Sequence, residues 1–195
     1  MNISPSLLLR NRLKNSIDII NSLNDEFYNK VTLFCELSLQ CLKKKGKIIT
    51  FGNGGSASDA IHLTGELVGK FMLTRNPINS ICLNTNISVI TSIANDLDYE
   101  NIFLRQLEAH TADNDIVLAI STSGTSKNIT KCFNFFNKYK INCFLFTGNK
   151  VVLNENYIKS INVPSSSVDK IQEIFFFFMH SYCEYLEKIL YNNVK

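Results

Sequence analysis

His62 and Glu66 stand four residues apart in a helix-length stretch that is poor in charge, with Ala57, Ala60, Ile61, Leu63, Leu67 and Val68 around them. A helix there puts imidazole and carboxylate on one face. Such a carboxylate beside a ligand loop is a candidate base, and a His–Glu pair at this spacing is equally an ordinary surface pair. His180 stands at the end of the run Phe175-Phe176-Phe177-Phe178-Met179. A polar ring in that setting is either a proton donor or a structural histidine. Two loops offer ligand contacts. Gly52-Asn53-Gly54-Gly55-Ser56 separates an apolar run from a helical one, and its glycines let backbone N–H groups approach a ligand near a helix N-terminus. It matches neither GxGxxG nor the P-loop pattern, which disfavours a nucleotide. Ser121-Thr122-Ser123-Gly124-Thr125-Ser126 again follows an apolar run and opens a helix. Hydroxyls beside free helix N–H groups surround a phosphate without a fixed cation, or else they cap the helix. Asn95-Asp96 is a further candidate lining pair, or a helix stop.

These residues need a scaffold, and the apolar pattern supplies one. Ser4-Pro5 opens a helix with Leu9, Leu13, Ile17 and Ile20 at steps of three or four, and a second runs from about Asp25 to Lys43-Lys44-Lys45-Gly46. Short apolar runs then follow at 48–51, 80–83, 115–120, 143–146 and 157–163, with helical segments expected near 57–71, 87–109, 127–139 and 168–191. Strand–helix alternation with strands apolar throughout predicts an α/β domain, a parallel sheet covered on both faces, preceded by a helical segment over about 1–46 and ended by a long helix. The whole of 1–195 is expected to be one domain. Ligands of such sheets bind beyond the carboxyl ends of the strands, which is where 52–56 and 121–126 fall.

Composition sets the class. A chain of 195 residues with 45% hydrophobic residues buries a sufficient core without disulfides or metal staples. Its 20 Lys and Arg are interleaved with 17 Asp and Glu, so no nucleic-acid partner is implied. The six cysteines form no CxxC pair and sit in apolar stretches, as reduced thiols do. With no signal-peptide core and no run long enough for a membrane helix, a cytoplasmic protein is expected. The five residues at 175–179 are too many apolar side chains for one face, so part of the last helix is expected to meet another chain.

Phe51-Gly52-Asn53-Gly54-Gly55-Ser56-Ala57, His62 with Glu66, Ala94-Asn95-Asp96, Ile120 to Ser126, Pro164-Ser165, Ile171-Gln172-Glu173 and His180 together resemble the sedoheptulose 7-phosphate isomerases, phosphoheptose isomerases with a sugar-isomerase (SIS) fold. The resemblance implies an aldose–ketose isomerisation through an enediol on the way to bacterial heptoses, with Glu66 as base and His180 as acid. Ser121, Thr122, Ser123 and Ser126 would hold the phosphate. Asn53, Gly54, Gly55, Ser56, Lys70, Asn95, Asp96, Asp169 and Gln172 would reach the rest of the substrate. In some members of the family His62, Glu66, Gln172 and His180 ligate zinc, one per subunit, and the sites lie at the contacts of a homotetramer. On a helix Gln172 and His180 are about 12 Å apart along the axis, so one metal either just lies between them or takes its ligands from two chains. The chain departs from the family where Lys70 replaces Arg, where Val168 and Lys170 replace Thr and Arg, and where Asn149-Lys150 replaces a Gly-rich stretch. The alternative is a non-catalytic SIS-domain regulator resembling the replication-initiator-associating proteins. That group lacks the Glu and His of the acid–base pair.

Overall fold

Strands β1 (Ile48–Gly52), β2 (Ser80–Cys82), β3 (Ile116–Ile120), β4 (Asn142–Thr147) and β5 (Ile158–Asn162) form one all-parallel sheet in the order β2-β1-β3-β4-β5. The structure is a computed structural model that describes residues 4–191. Every residue of β1 and β3 is buried, because helices cover both faces of the sheet. The two-residue period of a strand splits the core accordingly. Ile48, Leu118, Phe144 and Ile161 face α2 (Asp25–Lys43), α3 (Gly55–Val68) and α8 (Val168–Leu190), whereas Ile49, Phe51, Val117 and Leu145 face α5 (Leu104–His110), α6 (Lys127–Thr130) and α7 (Phe133–Tyr139).

The strand order reverses between β1 and β3, and their last residues, Gly52 and Ile120, are partners in the ladder. The two candidate loops therefore leave the sheet side by side at the point where α/β sheets bind ligands. A Cβ on Gly52 would come within 2.8 Å of the Ile120 carbonyl oxygen, so glycine is what permits the strands to end this closely.

Two expected helices are broken. The segment 87–109 divides into α4 (Ile87–Leu97), a 3-10 turn at Tyr99–Asn101 and α5, because Asp98 adopts φ 90° and cannot continue a helix. Likewise 127–139 is two short helices, α6 and α7, separated at Lys131 and Cys132. Helix α3 occupies Gly55–Val68, two residues earlier at its start and three shorter at its end than its apolar spacing suggests.

The leading helix α1 (Pro5–Asn21) forms as expected with proline in its first turn, yet buries none of its residues. Leu7, Leu8, Leu9, Leu13 and Ile17 are all exposed. It is attached to α8 by polar contacts: Arg12 donates to Asp169 at 2.6 Å, and Lys170 donates to the Arg12 carbonyl at 3.1 Å, to Ser16 at 2.8 Å and to Glu173 at 2.9 Å. Helix α8 is not buried on every side. Ile171, Ile174, Phe175, Phe178, Met179 and Tyr182 form its inner stripe, while Phe176 and Phe177 point outward. All six cysteines are buried and unpaired, and burial pushes the thiols of Cys35, Cys41, Cys132 and Cys183 up to about 12. Among the described residues no helix is long and apolar enough to cross a membrane.

Candidate active site

The first loop turns at Gly54, whose φ of +56° suits glycine, and α3 starts at Gly55 without a side-chain cap. The second turns at Gly124, φ +69°, whose N–H bonds back to Ser121 at its carbonyl and, at 3.2 Å, its hydroxyl. Ser126 precedes α6 but makes no side-chain capping bond, so its hydroxyl is not committed to the helix end. The Ser123 hydroxyl receives only the Thr125 N–H and hydroxyl at 3.3 Å, and Thr122 accepts Gly148 N–H through its backbone. Ser121, Thr122, Ser123 and Ser126 thus stand on one turn between β3 and α6, hydroxyl residues of a type suited to an anion.

The two loops are joined by residues that no motif announced. Asn53 and Asn128 exchange amide hydrogen bonds of 2.9 and 2.8 Å, and Asn53 Oδ1 also accepts the Tyr99 hydroxyl at 3.1 Å. Asn84 holds both the N–H and the carbonyl of Gly52, at 3.1 and 2.9 Å. The Asn53 amide oxygen is therefore occupied by the protein itself. Asn128, 2% exposed, and Asn84 carry no spacing signal, because each is a lone polar residue brought in by topology.

Helices α3 and α8 run parallel along one seam. At its upper end, buried Asp59 accepts from Gln172 Nε2 at 3.2 Å, and a Cβ on Gly55 would collide with the Gln172 amide. Burial raises the Asp59 carboxyl above its ordinary range, opposed by the Gln172 bond and by His62. One turn below, His62 Nε2 lies 3.1 Å from Glu66 Oε1, and its ring centroid lies 5.8 Å from that of His180 on α8. Phe71 stacks flat on His180 at 5.5 Å and 16°. Across the seam His62 thus stands between Glu66 on its own helix and His180 on α8.

Other residues stand apart. Asn95 and Asp96 lie within α4, not after it, are exposed, and bond each other at 2.7 Å. Lys70 is exposed just beyond α3. Asp169 is engaged by the Ser167 hydroxyl and by Arg12, which hold its carboxyl at about 2. Of the four residues of the zinc set, Gln172 is bound to Asp59, and His180 faces His62 and Glu66 one turn below. Among the described residues no three His, Cys, Asp or Glu side chains are grouped to hold a metal ion.

A family model described as SIS domain matches residues 13–139. The phosphoheptose isomerase of Thermodesulfovibrio yellowstonii is 36% identical over 186 residues, covering 94% of this chain and 92% of the relative. Phosphoheptose isomerase 2 of Campylobacter jejuni is 40% identical over 173 residues, 87% of this chain and 85% of the relative. A solved phosphoheptose isomerase from Francisella tularensis superposes with a TM-score of 0.85 at 26% identity, covering 95% of this chain and 100% of that one.

Proposed function

The chain belongs to the phosphoheptose isomerases of the SIS-domain family, and from that premise we propose how its own residues carry the isomerisation of sedoheptulose 7-phosphate to D-glycero-D-manno-heptose 7-phosphate. The Glu66 carboxylate takes a proton from C1 of the ketose while His180 donates one to the C2 oxygen, giving the enediol. Glu66 then returns its proton to C2, and His180 recovers one from the C1 hydroxyl, leaving the aldehyde. His62, bonded to Glu66, orients the carboxylate toward the seam. The phosphate is taken by the hydroxyls and N–H groups of 121–126, and Gly54, Gly55, Ser56 and Gln172 reach the rest of the substrate, whereas Asp169, Lys70, Asn95 and Asp96 stand apart from them in one chain.

The observation that carries this reading is the meeting of Glu66 and His62 on α3 with His180 on α8 across one seam. Its test is the purified protein with sedoheptulose 7-phosphate, followed by aldose formation; no aldose would refute it. The non-catalytic alternative has no need of this pair.

Assembly completes the reading. Glu66 lies eleven residues along α3 from Gly55, about 16 Å or three turns below the loops. In one chain the phosphate loop and the acid–base pair are thus spread along a helix, which supports a site closed by a second copy. The exposed leucines of α1 and the outward Phe176 and Phe177 supply apolar surface for such contacts, consistent with a homotetramer. Zinc at His62, Glu66, Gln172 and His180 would require the Gln172 amide to leave its bond to Asp59, and no step is routed through a metal.

A further inference from the structure

We propose that the buried ion pair of Arg75 and Glu187 is a positioning device that fixes the backbone of Glu66 and the ring of His180 relative to each other. The proposal rests on the assignment of those two residues as the acid–base pair.

The pair lies in the connection from α3 to β2, against α8, with side chains 0% and 2% exposed and Arg75 Nε donating to Glu187 Oε1 at 2.8 Å. A buried ion pair is weak evidence for stability, because apolar residues of similar volume commonly serve as well. What apolar residues cannot supply is direction, and here every donor is aimed. Glu187 accepts the backbone N–H groups of Phe71, Met72 and Leu73 at 3.1, 2.9 and 3.0 Å. The Arg75 fork donates to the carbonyls of Glu66 at 2.8 Å and Leu67 at 2.9 Å. Those carbonyls belong to the last turn of α3, where no helical partner exists and a cation is favoured.

Both halves of the seam are therefore held by one pair. Glu66 is held through its own carbonyl. His180 is held through Phe71, whose N–H is on Glu187 and whose ring lies on the imidazole. Glu187 itself follows His180 on α8 by two turns, so its position and that of the imidazole are set by the same rigid helix. The phosphate loop lies at the other end of α3 and has no contact with the pair.

The test is a set of variants read by melting temperature and by kcat separately from KM. Arg75→Met or Glu187→Leu alone leaves a buried charge unpaired and lowers stability. Arg75→Met combined with Glu187→Leu removes both buried charges but strips the N–H groups of residues 71–73 and the Glu66 carbonyl of their partners, so it is expected to melt above either single variant and below the wild type. It is expected to lose about 10²-fold in kcat with KM within about twofold, the scale of a small misplacement at the reacting centre. Phe71→Leu keeps the backbone bond to Glu187 and removes the stacked ring; it is expected to lower kcat by about tenfold at unchanged KM, and it decides the matter if the double variant does not fold. Recovery of kcat along with stability in the double variant, or wild-type kcat in Phe71→Leu, would overturn the proposal. Glu66→Gln is measured alongside: full activity there removes the acid–base assignment and the proposal with it, whereas an inactive Glu66→Gln beside a fully active double variant removes only the proposal.

Discussion

Replacing Glu66 by Gln preserves size and a hydrogen bond to His62 while removing the group that takes a proton from carbon. Turnover should fall by about 10²–10⁴-fold, and His180→Gln should fall by a similar factor. Calorimetry should show substrate still bound by both, since the phosphate contacts are untouched; lost binding in step with lost turnover would reassign them to ground-state contacts. These two residues were legible because they stand in recognisable strings with the loops. Asn128, Asn84, Tyr99, Arg75 and Glu187 were not. Each is a single polar residue far in sequence from its partner, Arg75 and Glu187 by 112 positions, and only folding shows that they bond. Lys170 illustrates the same limit: it reads as a departure within a motif, and in the fold it is the buried cation that anchors α1 to α8.

Among the elements, the loop 121–126 should discriminate by charge, so unphosphorylated sedoheptulose should bind far more weakly than its 7-phosphate by calorimetry. Gly124→Ala should weaken phosphate binding as well, because φ +69° is strained for alanine and its Cβ would sit 2.9 Å from that of Val151. Equal affinity for the two sugars would return the loop to a capping role. The α8 junction predicts an acid response. Burial raises the Glu187 carboxyl, but the three backbone N–H groups and Arg75 overcome it and leave the net value below the ordinary 4.5. The folded state then binds fewer protons, so the contribution is complete above about pH 4.5 and is lost as pH falls through the folded value. Urea melts at pH 7 and pH 3 should show a smaller acid loss in the Arg75→Met/Glu187→Leu variant than in the wild type. Strands were read correctly from continuous apolar runs, since burial on both faces leaves no other pattern. The breaks at Asp98 and at Lys131-Cys132 escaped the same reasoning, because apolar spacing continues across them and only backbone conformation interrupts it.

For the whole molecule, the run 175–179 is divided by the fold between the core and the surface. Phe177 is 60% exposed and Phe178 is 5% exposed and packed on Phe34 and Phe146. Phe177→Asp should leave the monomer folded while shifting light scattering toward smaller species and lowering activity. Phe178→Asp should instead unfold the chain, since an unpaired buried carboxylate costs several kcal/mol. A Phe177→Asp protein with unchanged mass and rate would take that face out of the assembly. One further consequence follows from the six buried thiols. With their ionisation suppressed and their sulfurs buried, the six cysteines offer a thiol-directed reagent little to attack in the native fold at neutral pH. Each thiol becomes reactive only when its part of the core opens, so the labelling rate of each cysteine reports how often that region opens. Cys35 on α2, Cys143 on β4 and Cys183 on α8 are spread across the core, and mass spectrometry of labelled peptides would read their opening frequencies from unmodified protein.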